Sequence, residues 1–408
     1  MPKRLFWIWL GIFWIFPSST TPILSADCAN TDCCADMICD LSTVRYGLSG
    51  VHPTLDDFWD GRAEWVMTRA DVGLPIGESD TVLLANGVYR SYLHASFQSA
   101  GVIDSCGEPV AFPGCLTIWE SRGGEQFALT SRVCQIPCGQ CPCSDQRDHH
   151  GYTIHNTRAA AQQYPRVAYD GEMWYMAYEW HSQVILRRSA DGLVWSDWRY
   201  LVVPGGTYPS SLSACSPTER IGAHPHIRGQ LEDCLVGAPP GIYVDGDLLY
   251  VFVASGSAPA HMRCYVGDKY ADLGAMRQCN TDPLFSGAQT YGDVTLFGAD
   301  ANPYFDFRYI SSAEVIKVGE RYYMFYEGIR GPSQLEFGRD NQFGLGLARS
   351  VGNTIDGEWE KFPNNPILGD MRDDWGVGHA DVLVINGQTV MYTSTSQTTR
   401  GKYVLQWK

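Results

Sequence analysis

Five times along this chain a short apolar strand runs into a glycine-containing turn and returns as a strand rich in Tyr, Trp, Phe and Met. The copies are SDTVLLANGVYRSYLHAS (Ser79 to Ser96), YPRVAYDGEMWYMAYEW (Tyr164 to Trp180), PPGIYVDGDLLYVFVAS (Pro239 to Ser255), SSAEVIKVGERYYMFYEG (Ser311 to Gly328) and GHADVLVINGQTVMYTSTS (Gly378 to Ser396). Their turns are Asn86-Gly87, Asp170-Gly171, Asp245-Gly246, Val318-Gly319 and Asn386-Gly387. Asn-Gly and Asp-Gly are strong hairpin signals because tight turns need positive φ. A hairpin repeated at a spacing of roughly 70–85 residues means a repeat architecture, with more loop than a WD or kelch blade carries.

Most hairpins lead into a third strand and a tail. Leu116 to Trp119 runs into a Gly123-Gly124 turn, Gln183 to Arg188 into Ser-Ala-Asp-Gly-Leu-Val-Trp195, and Gly344 to Ser350 into Ile-Asp-Gly-Glu-Trp359. The Trp at each tail suits packing between neighbouring blades. KYVLQW (Lys402 to Trp407) reads as the last strand of the fifth blade. No long window has a helical period. The expectation is an all-β, five-bladed propeller of four-stranded antiparallel blades over residues 61–408, with a β-sandwich as the rival.

The N-terminus carries export features. Lys3 and Arg4 precede an apolar run from Leu5 to Phe16, and Leu24-Ser25-Ala26 offers a small-residue cleavage site. The run is short for a membrane span, which takes about 20 residues; an uncleaved anchor is the alternative. Residues 1–26 are therefore read as a signal peptide and residues 27–60 as a Cys-rich segment. The product is expected to be secreted, extracellular or periplasmic, monomeric, and free of the membrane after cleavage. All 14 cysteines follow Ala26. In an oxidising compartment disulfides are the first reading, including for CQIPCGQCPC (Cys134 to Cys143), whose spacing is not that of a zinc ribbon. The formal net charge of −15 argues against nucleic acid as a partner and is compatible with neutral glycans and bound cations.

In a propeller the first strand of each blade lines the axis. Aligned on their turns, the five copies open that strand with Asp80 (or Thr81), Arg166, Gly241, Glu314 and Asp381. Four ionisable residues converging on one axis form a candidate site, against the alternative of an ion-paired structural channel. Asp80 and Glu314, from different sides of the ring, suit two-carboxylate glycoside hydrolysis at the wider separation of about 6.5–9.5 Å that goes with inversion. Arg166 can keep a carboxylate ionised or grip a substrate carboxylate. Asp381, and His379 two residues before it, are candidates for holding substrate or a cation. Trp180, Trp65 and Trp375 are candidates for stacking on sugar rings. His149, His150, His155, His224 and His226 read as loop residues.

The hairpin phrases, with GLARS…DGEW…NNPIL (Gly346 to Leu368) and the GHADV start (Gly378 to Val382), resemble the five-bladed propeller glycoside hydrolases: the family-43 type and its family-32, family-62 and family-117 cousins. The resemblance spans Glu78 to the C-terminus. It implies a first-blade Asp as general base, matched by Asp80, and a later-blade Glu as general acid, matched by Glu314. The group's third acidic residue has no counterpart at Arg166 or Gly241. The group's central His, beside a water or cation on the axis, matches His379. The expected activity is cleavage of glycosidic bonds in a poly- or oligosaccharide, with no cofactor required and an axial or structural cation such as calcium compatible. The alternatives are a non-catalytic glycan- or ligand-binding propeller and a surface protein stapled by disulfides.

Overall fold

The computed structural model describes residues 52–75, 78–93, 115–134, 163–180, 183–196, 199–201, 239–255, 261–273, 276–288, 305–306, 309–329, 343–368, 379–395 and 399–408. The expected signal segment, the Cys-rich run up to residue 51, the second Cys cluster beyond Cys134, His149, His150, His155, His224, His226 and Trp375 lie outside them. The compact unit that holds the strands runs from His52 to Lys408.

The strands form five antiparallel sheets. Blade 1 is β2 (Ser79–Leu83), β3 (Tyr89–Leu93), β4 (Cys115–Ser121) and β5 (Ala128–Cys134). Blade 2 is β6 (Gln163–Tyr169), β7 (Trp174–Trp180), β8 (Gln183–Ser189) and β9 (Arg199–Tyr200). Blade 3 is β10 (Gly241–Asp245), β11 (Leu248–Ser255), β12 (His261–Asp268) and β13 (Arg277–Gln278), with β14 (Phe285–Ser286) also paired to β12. Blade 4 is β15 (Tyr309–Val318), β16 (Arg321–Ile329), β17 (Phe343–Ser350) and β18 (Trp359–Lys361). Blade 5 is β19 (Asp381–Ile385), β20 (Gln388–Ser394), β21 (Arg400–Trp407) and, outermost, β1 (Ala63–Arg69). The chain is a five-bladed β-propeller.

The C-terminal strand is therefore the third of blade 5, where the sequence suggested the last. β1 completes the sheet, with Ala63 opposite Trp407 and Val66 opposite Val404. Joining the two ends of the propeller in one sheet protects an edge that would otherwise stand open.

The burial pattern explains why the hairpins are apolar on both faces. The core falls into five clusters, one at each junction between neighbouring blades. Tyr92 and Ile118 of blade 1 pack on Trp174 and Met176 of blade 2. Tyr175 and Ala177, on the opposite face of β7, pack on Ile242 and Val251 of blade 3. Blade 3's Phe252 and Met262 meet Met324 and Tyr326 of blade 4. Tyr323 and Phe325 meet Val382 and Met391 of blade 5, and Val390 and Tyr392 meet Leu93 and Phe127 of blade 1. Successive residues of one strand thus serve successive junctions. The tail tryptophans take the inter-blade role expected of them: Trp195 lies edge-on to Tyr92 at 5.8 Å, and Trp359 is buried in the junction of blades 3 and 4. Trp65, a candidate sugar platform from sequence, instead packs against Phe58 and Phe325, each at 6.1 Å between ring centroids.

Among the described residues one helix, α1 (Leu55–Trp59), precedes β1. Thr54 and Asp57 form a capping box at its start. Asp57 also holds Arg62 through two hydrogen bonds of 2.8 and 3.0 Å. Leu55 is fully buried in the junction of blades 4 and 5.

Candidate functional site

The five inner strands stand side by side in the order β2, β6, β10, β15, β19 and back to β2. The residues expected at the axis do open these strands in register: Asp80 faces Tyr92, Arg166 faces Ala177, Gly241 faces Phe252, Glu314 faces Phe325 and Asp381 faces Tyr392. They form one rung of the axis, and that rung is internally satisfied.

Asp381 is fully buried. Its carboxylate accepts hydrogen bonds from Ser79 Oγ (2.8 Å), Thr81 Oγ1 (2.6 Å) and Thr81 N (3.0 Å) of the next blade. Asp80 repeats the device one blade on, accepting from Val167 N at 2.5 Å. In both cases a carboxylate from one inner strand caps the backbone of the following one. Arg166 donates to Glu314 Oε2 (3.0 Å), Ser79 O (3.3 Å) and Ser312 O (3.2 Å). Gly241 has no side chain for a steric reason: a Cβ there would sit 2.4 Å from Ala313 O. The sequence suggested Arg166 and Asp381 as substrate contacts. Their polar atoms are instead committed to neighbouring strands, with only 3 % and 0 % of the residues exposed.

The electrostatics of this rung follow from burial. Burial pushes the Asp80 carboxyl up to about 7, against the pull of Arg166 and with the repulsion of Asp381. Burial, then the charge of Asp80, pushes Glu314 well above the usual carboxylate range despite its ion pair with Arg166.

A second rung lies two residues earlier in the chain in each blade, on β6 and β15 or just before β2, β10 and β19: Glu78, Tyr164, Pro239, Ser312 and His379. His379 is its centre. Its Nε2 lies 3.0 Å from Glu78 Oε1 and 3.3 Å from Glu327 Oε1. Its Nδ1 lies 2.5 Å from Ser312 Oγ. The Tyr164 ring stacks on the imidazole, with centroids 5.3 Å apart and planes 20° apart. Glu327, on β16, is 4 % exposed and accepts from Ser311 Oγ at 2.9 Å. Burial raises its carboxyl, and Glu78 raises it further, while His379, Ser311 and Arg166 oppose the rise. The side chains of Glu78 and His379 are 13 % and 14 % exposed, against 11 % for Glu314 in the first rung.

His379 thus sits at the axis as expected. Sequence reasoning passed over Glu78, Tyr164, Ser312 and Glu327. For Glu327 a signal was present: the phrase Tyr-Glu stands near the end of the second strand in both blade 2 (Tyr178-Glu179) and blade 4 (Tyr326-Glu327), facing Gln163 and Ser311 in equivalent register. Trp180 ends β7 by its backbone, and its side chain lies outside the described residues. Among the described residues no group of three or more His, Cys, Asp or Glu side chains has the arrangement to hold a metal ion.

No protein-family model matches the sequence, and no curated protein does. Solved structures do match in fold. One is the xyloglucan PUL GH43B of Bacteroides ovatus, at 13% identity and a TM-score of 0.49, over 84% of this chain but 54% of that one. A second is a glycosyl hydrolase from Bacteroides ovatus, at 13% identity and a TM-score of 0.49, over 87% of this chain and 93% of that one. A third is the alpha-L-arabinofuranosidase from Podospora anserina in complex with cellotriose, at 11% identity and a TM-score of 0.44, over 88% and 94%. Their names are those of a GH43 protein, a glycosyl hydrolase and an arabinofuranosidase. The likeness is one of fold, and the activities are those of the matched proteins.

Proposed function

We propose that the chain hydrolyses glycosidic bonds and that Glu78 and Glu327 are its reacting carboxyl groups. The observation that carries this reading is the convergence of both on one imidazole nitrogen, at 3.0 and 3.3 Å, on the propeller axis. Glycoside hydrolysis needs one carboxyl group that protonates the leaving oxygen and one that activates water or attacks. Two carboxyl groups in unlike environments divide these roles. Glu327, buried and raised, suits the acid. Glu78, more open, suits the base. Asp80 and Glu314, the pair expected from sequence, then serve the axis by capping β6 and by pairing with Arg166. On this reading the substrate is a carbohydrate, no cofactor is required, and the protein works outside the cytoplasm as a monomer.

A non-catalytic carbohydrate-binding propeller is the second reading. The self-satisfied rung of Asp80, Arg166, Glu314 and Asp381 favours it, because it removes four ionisable residues from chemistry. The test is to incubate the mature protein with a panel of polysaccharides and 4-nitrophenyl glycosides and to follow reducing ends or nitrophenol. Hydrolysis that falls by about 10²–10⁴ in both Glu78→Gln and Glu327→Gln supports the enzyme. Binding of a glycan without hydrolysis of any supports the second reading.

A further inference from the structure

We propose that Cys115 and Cys134 form a disulfide that fastens the outer strand of blade 1 to the strand inside it. Cys115 opens β4 and Cys134 ends β5, and the antiparallel register sets them directly opposite each other. The inference stands on the fold alone and does not rest on the hydrolase reading.

Register is the first argument. Cys115 faces Cys134, Leu116 faces Val133, Thr117 faces Arg132 and Ile118 faces Ser131, without a break. The irregularity in this pair of strands comes only after Ile118. Directly opposed residues of an antiparallel pair have Cα atoms about 4.5 or 5.5 Å apart, according to whether they share ladder hydrogen bonds. A disulfide takes Cα atoms about 4.4–6.8 Å apart. Either kind of pair can therefore be bridged without moving the backbone.

Blade 3 already contains the same device. Cys264 of β12 is bonded to Cys279, with Cα atoms 5.3 Å apart. Cys279 follows β13 directly, and the register that sets Tyr265 opposite Gln278 continues into Cys264 opposite Cys279. There Cys279 N donates to Cys264 O at 2.9 Å. Blade 3 thus ties its third strand to its outer one through opposed cysteines. β4 and β5 are the third and outer strands of blade 1.

β5 lacks the hold that the other outer strands have. An outer strand is kept in place by its ladder and by what it buries. In blade 5 β1 buries Ala63, in blade 4 β18 buries Trp359, and in blade 2 Leu201 is fully buried just after β9. In blade 3 the buried residue is Cys279 itself. β5 instead exposes Ala128, Leu129, Thr130 and Ser131 in succession. One end of it is anchored by Phe127, which is buried and donates its N–H to Val72 O at 2.9 Å. Cys134 stands at the other end, where a covalent tie completes the hold. Ser79, Leu93, Thr117 and Arg132 form one row across the blade. Glu78 lies one residue beyond that row and Cys115 two, so the tie is at the end of blade 1 where Glu78 stands.

The bond forms by two exchanges with a disulfide oxidant, the class of reagent that Cys264–Cys279 also requires. One cysteine thiolate attacks the oxidant, giving a mixed disulfide and releasing one oxidant thiolate. The other cysteine thiolate attacks the protein sulfur of that mixed disulfide, and the second oxidant thiolate leaves. The two cysteine thiols give up two electrons and two protons, and the oxidant ends as two thiols.

The test maps the bond in the full mature chain purified without reductant. Free thiols are blocked, and the protein is digested with pepsin in acid, where thiolate exchange stops. Linked peptides are then sequenced by mass spectrometry before and after reduction. The expected result is a pair of peptides joined through Cys115 and Cys134 that separates on reduction with a gain of two hydrogens. A thiol at either position, or a bond from either to another cysteine, overturns the proposal. Stability gives a second measurement. Cys115→Ser, Cys134→Ser and the double variant lose the same bond, so all three should melt below the wild type by a similar amount, roughly 3–6 °C. Losses that add in the double variant would place the two cysteines in different bonds and overturn the pairing. Amide exchange across Ala128 to Val133 should quicken by about 10-fold to 10²-fold in the double variant, with Asp80 to Leu83 unchanged. Unchanged exchange in β5 overturns the fastening role.

Discussion

Arg166 comes from blade 2, yet it bonds Ser79 of blade 1 and both Ser312 and Glu314 of blade 4. A buried charge with such partners is costly to expose singly. Arg166→Met should destabilise the fold by about 3–5 kcal/mol, because Glu314 is left buried and uncompensated. Adding Glu314→Gln should recover much of that loss, since the two residues share one interaction. Urea unfolding of the single and double variants checks both statements. Asp80 gives a pH signature. Its carboxyl is raised from 3.8 to about 7 in the fold, so the folded state binds that proton more tightly than the unfolded chain. The stability this contributes is fully present below pH 3.8 and is lost as pH rises through about 7. Asp80→Asn removes the group, so its melting temperature should fall less between pH 4.5 and 8 than that of the wild type. Equal slopes would mean that Asp80 is ionised throughout. These residues also show how far sequence reached. The alignment on the turns placed Asp80, Arg166, Glu314 and Asp381 correctly on the axis, because strand register is a local property. It could not show that they satisfy one another, because Asp381 and Thr81 lie 300 residues apart in the chain. It also passed over the rung two residues earlier, where Glu78 and His379 meet. The positive φ of Ser312 and of His379, 53° in each, leaves no mark in a period-two pattern.

At the scale of elements, the four-stranded blades were legible wherever a tight turn joined two strands. Gln183 to Arg188 and Gly344 to Ser350 became β8 and β17 within a residue or two. β1 was not legible as part of a blade. AEWVMTR has no hairpin partner nearby, since its partner strand is at the far end of the chain. The helix before it was missed because five residues are too few for a period. It is held by its cap and by aromatic packing of Phe58 and Trp59 on Phe362, at 5.3 and 5.2 Å. Thr54→Ala removes the cap and should cost about 1 kcal/mol, measurable as a lower midpoint in urea with an unchanged slope. No change would show that Asp57 and Arg62 hold the turn unaided.

At the scale of the molecule, the five apolar junctions make each blade depend on two neighbours, and the ring depends on β1 to close it. A chain that lacks residues 52–70 should lose the outer strand of blade 5 and with it the single cooperative melt of the intact protein, as a calorimeter would show. A sharp melt from that truncated chain would mean that the ring closes on packing alone. The same closure holds the inner strands in order and so sets the positions of Glu78, Glu327 and His379, which come from blades 1, 4 and 5. The measurement that bears most directly on the account is hydrolysis of a glycan panel by the wild type and by Glu78→Gln, Glu327→Gln, Asp80→Asn and Glu314→Gln, each assayed below its melting point. The account predicts loss of activity in the first two variants, with turnover retained in the last two. Loss confined to Asp80→Asn and Glu314→Gln would contradict it.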